Sequence, residues 1–77
     1  MDLNMKGMIF MQAGVRNQFK GRVTEIVLDG VMAQVTVLAG EQEITSIMTK
    51  ESLQQADFKV GDEATALIKA VNVVLIK

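Results

Sequence analysis

From Phe19 onward the chain alternates. Phe19, Gly21 and Val23 fall on one parity and Lys20, Arg22 and Thr24 on the other, the period of a strand with one covered face. The phase then slips, because Ile26 and Leu28 are apolar on the parity that had been polar. One extra residue near Glu25 would restore the pattern, which predicts a β-bulge there. Asp29-Gly30 predicts a hairpin turn. After it, Val31, Ala33, Val35, Val37 and Ala39 form an unbroken apolar parity opposite Met32, Gln34, Thr36 and Leu38. Gly40-Glu41 closes this strand with a second turn. Residues 43–49 read as a third strand, with Ile44, Ser46 and Met48 opposite Glu43, Thr45 and Ile47. Thr49 is then placed to cap a short helix made of Lys50-Glu51-Ser52-Leu53-Gln54-Gln55-Ala56. Phe58, Val60 and Gly61 form a loop with one buried anchor, and Asp62 leads into strands over residues 64–69 and 71–76. Five strands with one short helix between the third and fourth predict an all-β, OB-like Greek-key barrel.

The final stretch breaks the alternation. Between residues 64 and 76 Ala64, Ala66, Ile68 and Ala70 occupy one parity and Leu67, Val71, Val73 and Leu75 the other, with Val74 and Ile76 besides. A strand facing solvent carries polar residues on one side, so burial on both sides requires a second protein surface. Composition points the same way. The 77 residues allow one small domain, marginal alone, and 49% of them are hydrophobic. With no Cys and no His, neither disulfides nor an ordinary zinc site can reinforce it. Oligomerisation is the remaining remedy. Without proline, repeats or low-complexity tracts, residues 12–77 read as a single domain. Residues 5–11 are apolar but too short for a signal-peptide core or a membrane span. Residues 1–11 are therefore expected to be a leader, a segment before an alternative start near Met11, or an extra edge strand.

Charge and chemistry remove several function classes. The net charge of −1, from 8 Lys+Arg against 9 Asp+Glu, gives no footprint for nucleic acid and no polybasic patch for a membrane. An OB-type nucleic-acid binder also needs aromatic stacking platforms, and this chain has three Phe, no Tyr and no Trp. No nucleophile–base pair can be assembled without His or Cys, and no carboxylate pair marks a cleft, so no catalysis is expected. A chain without cysteine is compatible with a reducing cytosol, and a cytoplasmic location is the expectation. What remains is a set of donors. Arg16-Asn17, Thr49-Lys50-Glu51-Ser52 and Lys69-Ala70-Val71 each join cations or hydroxyls to backbone N–H groups, as a site holding a small anion would.

These segments, in this order, resemble the molbindin (Mop) family of small molybdate-binding domains, also called TOBE domains. The family's Ser-Ala-Arg-Asn-x-Leu-x-Gly pattern corresponds to Gly14-Val15-Arg16-Asn17-Gln18-Phe19-Lys20-Gly21. Its Thr or Ser around a short helix start corresponds to Thr49-Lys50-Glu51-Ser52-Leu53, and its Lys-Ala-Ser/Thr-x-Val to Lys69-Ala70-Val71-Asn72-Val73. The likeness covers about residues 11–77. It implies an OB-like fold, exchanged N-terminal strands, dimers assembled into trimers of dimers (a hexamer), and molybdate or tungstate held between subunits without catalysis. Carried over position by position, the implied ligands are Arg16 and Asn17, Thr49 and Ser52 from a neighbouring subunit, and Lys69 with the Ala70 and Val71 backbone. Direct side-chain coordination of the metal is not implied. At two positions the chain departs from the pattern, since Gly14 and Val71 stand where the family has hydroxyl side chains.

Each candidate has an ordinary structural role against which to weigh it. Arg16 can serve a salt bridge, and Lys69 can extend its ammonium to water from an apolar strand. Thr49 and Ser52 make a normal helix start, a role compatible with anion binding because free N–H groups gather there. Asn17 and Asn72 can each be turn or ladder residues, which is the role expected of Asn72, and the methionines are expected to be core or leader residues. The leading expectation is a cytoplasmic oligomer that stores or buffers molybdate or tungstate, storage being favoured by the absence of an attached ATPase or DNA-binding segment. The alternative is a structural or interaction protein of the same fold that has lost the oxyanion site.

Overall fold

The computed structural model describes residues 15–77, so the leader, the N-terminal strand exchange and Gly14 lie outside the described residues. Strand β1 spans Asn17–Asp29, β2 Met32–Ala39 and β3 Gln42–Thr49. Helix α1 spans Lys50–Ala56 and β4 Glu63–Ile68, followed by a single 3₁₀ turn over Ala70–Asn72. The four strands form one antiparallel sheet in the order β3-β2-β1-β4.

The long β1 organises the sheet by pairing along its first half with β4 and along its second half with β2. The predicted bulge is there: the β1–β2 register runs through Val23↔Val37 and resumes at Glu25↔Thr36, leaving Thr24 as the extra residue. Its hydroxyl donates to the Thr36 carbonyl at 3.4 Å. The bulge switches the inward parity, so Val23 is buried before it and Ile26 packs on the core after it. Gly30, at φ 62°, supplies the left-handed residue of the β1–β2 hairpin.

The core is small. Val23, Ala33, Val35, Val37 and Leu53 are buried, and Ile26, Met48, Phe58 and Ala64 pack around them. Leu53 brings α1 onto the sheet, and of the loop residues it is Phe58 that packs on the core as the anchor. Thr49 caps the helix as predicted, its hydroxyl accepting from the Ser52 N–H at 3.0 Å. Asp57, at φ 59°, ends it, its N–H donating to the Leu53 and Gln54 carbonyls.

One expectation is corrected. Residues 71–76 do not form a fifth strand, and the barrel is a curled half-barrel of four strands. The reason lies in the turn chemistry. A tight hairpin back onto β4 needs residues at home with positive φ, and Lys69-Ala70-Val71 offers none. The chain instead enters the 3₁₀ turn, with Asn72 N–H donating to the Lys69 carbonyl at 2.9 Å, and runs outward. Val74, Leu75 and Ile76 are 83%, 88% and 95% exposed. The half-barrel is left with a cavity of about 410 Å³ between β3 and β4, floored by Val35 and Val37 and flanked by Ile44, Met48, Ala66 and Ile68. The radius of gyration, 14.0 Å, exceeds the roughly 11 Å of a compact chain of this length. No helix among the described residues is long and apolar enough to cross a membrane.

Candidate functional site

The β1–β4 ladder brings the start of β1 beside the end of β4. Its pairs run from Arg22↔Glu63 through Lys20↔Thr65 to Asn17↔Ile68, where it stops. The next two residues in that register are Arg16 and Lys69. A ladder continued by one step would set two cations side by side, an arrangement that costs stability unless an anion lies between them. Both strands end before this step, both residues are exposed, and neither forms an ion pair with a described residue. Lys20 and Arg22 share their parity along β1, so cations dominate this face of the ribbon, with Glu63 as its one acid in β4.

Asn17 sits on the opposite parity, half-buried, and its Nδ2 donates to the Ile68 carbonyl at 3.1 Å. Beyond Ile68 the backbone turns. Lys69 is extended, at φ −65° and ψ 140°, and precedes the 3₁₀ turn. The N–H groups of Ala70 and Val71, first in that turn, have no partner within it. The Val71 side chain is exposed, and of the turn and ladder roles open to Asn72 the structure gives it the turn. Arg16, Asn17, Lys69, Ala70 and Val71 thus gather at one end of the sheet.

Thr49 and Ser52 do not join them within one chain. Thr49 pairs with Met32, which pairs with Asp29 at the far end of β1 from Asn17. Twelve steps along β1 separate the two ends, roughly 40 Å of strand contour. The Thr49 hydroxyl also donates to Ser52 Oγ at 2.9 Å, so the pair forms one exposed hydroxyl group of its own at the helix start. Sequence reasoning picked out these residues one by one. It did not find that Arg16 and Lys69, 53 positions apart, are the residues that follow the last pair of one ladder.

With this geometry in hand, similarity to known proteins is informative. The sequence pattern of the family described as the TOBE domain matches residues 14–75. The chain is 36% identical over 67 residues to molybdenum-pterin-binding protein 3 of Clostridium pasteurianum, which covers 86% of this chain and 98% of that protein. It is 42% identical over 67 residues to the molybdenum transport protein ModE of Herbaspirillum seropedicae, 86% of this chain but 25% of the relative. The chain therefore spans about a quarter of the length of the ModE proteins it matches. Its fold aligns with the solved molybdate-binding protein from Sporomusa ovata at a TM-score of 0.78 and 33% identity, covering 83% of this chain and 96% of that one. A likeness this extended in both sequence and fold is one of common descent, and this chain belongs to the TOBE-domain family, in its molbindin (Mop) branch.

Proposed function

We propose that this protein binds molybdate, or tungstate in its place, at sites shared between subunits, and that it stores or buffers the anion in the cytoplasm without transforming it. The observation that carries the reading is the placement of Arg16 and Lys69 as the next register partners beyond the β1–β4 ladder. Molybdate is a tetrahedral dianion that accepts hydrogen bonds and donates none. Two cations opposite one another, with backbone N–H groups beside them and no acid among the implied ligands, suit such a guest. The names of the Clostridium and Sporomusa relatives, a molybdenum-pterin-binding and a molybdate-binding protein, favour molybdate among such dianions.

The distance from Thr49 and Ser52 to Arg16 along β1 supports a shared site, since these hydroxyls can complete the shell only from a neighbouring subunit. Assembly is the second part of the proposal. Residues 73–77 are mostly apolar and largely exposed, and the cavity between the outer strands β3 and β4 is lined largely by apolar side chains that an apolar strand would cover. The tail of one subunit laid into the cavity of its partner closes both barrels. Such a dimer is the unit from which the trimer of dimers implied by the resemblance would be built.

A second reading, the same fold and assembly without an oxyanion site, is favoured by Val71, which offers only its backbone N–H at a position where the family pattern has a hydroxyl. Calorimetric titration of the assembled protein with molybdate, tungstate and sulfate separates the two. Saturable binding of molybdate is the expected result. The absence of binding of any of the three anions at millimolar concentration leaves the structural reading in its place.

A further inference from the structure

We propose that Asn17 is a positioning residue for the anion site: it fixes the backbone that presents Lys69, and it does so without touching the anion. The inference rests on the reading of Arg16 and Lys69 as the cations of that site. Its basis is the hydrogen bond from Asn17 Nδ2 to the Ile68 carbonyl, 3.1 Å long, which links residues 51 positions apart. Asn17 and Ile68 are the last pair of the β1–β4 ladder, so this bond secures the ladder where it ends.

What it secures is the approach to Lys69. A carbonyl oxygen and the N–H that follows it lie in one rigid peptide plane. Holding the Ile68 oxygen therefore fixes the direction of the Lys69 N–H and the point from which the Lys69 backbone departs. No ladder partner holds residue 69, which leads directly into the 3₁₀ turn carrying Ala70 and Val71. Rotation of that plane would swing the lysine and both backbone donors together. The same bond ties the residue after Arg16 to the residue before Lys69, setting the spacing of the two cations.

The side chain is placed for this role and poorly placed for the ligand role implied by the resemblance. Strand alternation points Asn17 with Ile68, and both are half-buried, whereas Arg16 and Lys69 take the other parity and are exposed. The residue type fits as well. Asparagine reaches a cross-strand carbonyl with a donor and brings no charge, while aspartate of the same shape has no N–H to give and would oppose the dianion.

A double-mutant cycle on the assembled protein, read by titration with molybdate, tests the proposal. Asn17→Ala should weaken binding about tenfold, the loss expected when Lys69 no longer holds its charged hydrogen bond to the anion. In the Lys69→Ala background the same substitution should weaken binding by less than about threefold, because the lysine side chain it positions is gone and only the Ala70 and Val71 N–H donors are left to shift. Losses that multiply instead would make Asn17 an independent contact and overturn the assignment. Amide hydrogen exchange without anion gives a readout that does not depend on binding. In Asn17→Ala, and in the isosteric Asn17→Asp should the alanine variant fail to fold, the amides of Lys69, Ala70 and Val71 should exchange faster while those of Phe19 and Gly21 hold. Unchanged exchange at these three amides also overturns it. If the native protein binds no molybdate, the proposed function fails, and the exchange experiment still decides whether Asn17 holds this backbone.

Discussion

A Cβ at Gly21 would run into the carbonyl oxygen of Leu38 across the β1–β2 pairing. Gly21→Ala therefore forces the strands apart, and urea denaturation should show a loss of about 1–3 kcal/mol, the usual range for overpacking. Gly30 differs in kind. A Cβ there meets nothing, and its φ of 62° alone is the obstacle, so Gly30→Ala should cost about 1 kcal/mol. A larger loss at Gly30 than at Gly21 would contradict this account. At the site, Lys69→Ala should weaken tungstate binding by about tenfold to hundredfold without dissociating the oligomer. Unchanged affinity would remove Lys69 from the site. Gly14 and Val71 give the boldest expectation at this scale. A dianion taken from water must recover its hydrogen bonds from the protein, so restoring the hydroxyls in a Gly14→Ser/Val71→Ser variant should tighten molybdate binding in the same titration. Equal or weaker binding would mean that backbone N–H groups and water already complete the shell, or that no site exists to repair.

Among the elements, α1 shows how one residue can serve two roles. Thr49 accepts from the Ser52 N–H and donates to Ser52 Oγ, fixing the helix start and presenting a hydroxyl pair to solvent. Thr49→Ala should cost about 1 kcal/mol in thermal or chemical unfolding, the typical value of an N-cap. Thr49→Ser keeps the cap, so a loss of stability in both variants alike would shift the cause from the hydrogen bond to the threonine methyl group. The elements also show where the sequence was readable. The bulge near Glu25, the turn at Gly30 and the cap at Thr49 are each written within a few consecutive residues, and each was found where expected. Hairpin register, helix caps and bulges depend on local backbone geometry, which neighbouring side chains decide.

For the molecule as a whole, the apolar tail is the feature that a single subunit leaves unsatisfied. Sedimentation velocity should show a stable multimer at micromolar concentration, and Leu75→Asp should dissociate it. Leu75 is 88% exposed within the subunit, so a charge there scarcely affects the subunit's own fold and reports mainly on what covers the tail. A Leu75→Asp protein that remains a multimer would exclude the tail from the assembly contact.

By itself the sequence determined the strands β1 to β4, their turns, the short helix and its cap, because alternation and turn residues act over a few positions. It also carried the family likeness, through motifs whose order survives without knowledge of their contacts. Tertiary structure decided two matters that no local pattern contains. One is the end of the chain. Apolar residues on both parities of 71–76 showed that two surfaces must cover it, but the half-barrel and its exposed tail follow from a turn that cannot fold back on β4. The other is the site. Arg16 and Lys69 flank the same end of the β1–β4 ladder only because six consecutive cross-strand pairs carry the register there, while the same sheet holds Thr49 and Ser52 at the opposite end of β1. Register is a property of two strands together, and a single run of residues cannot state it.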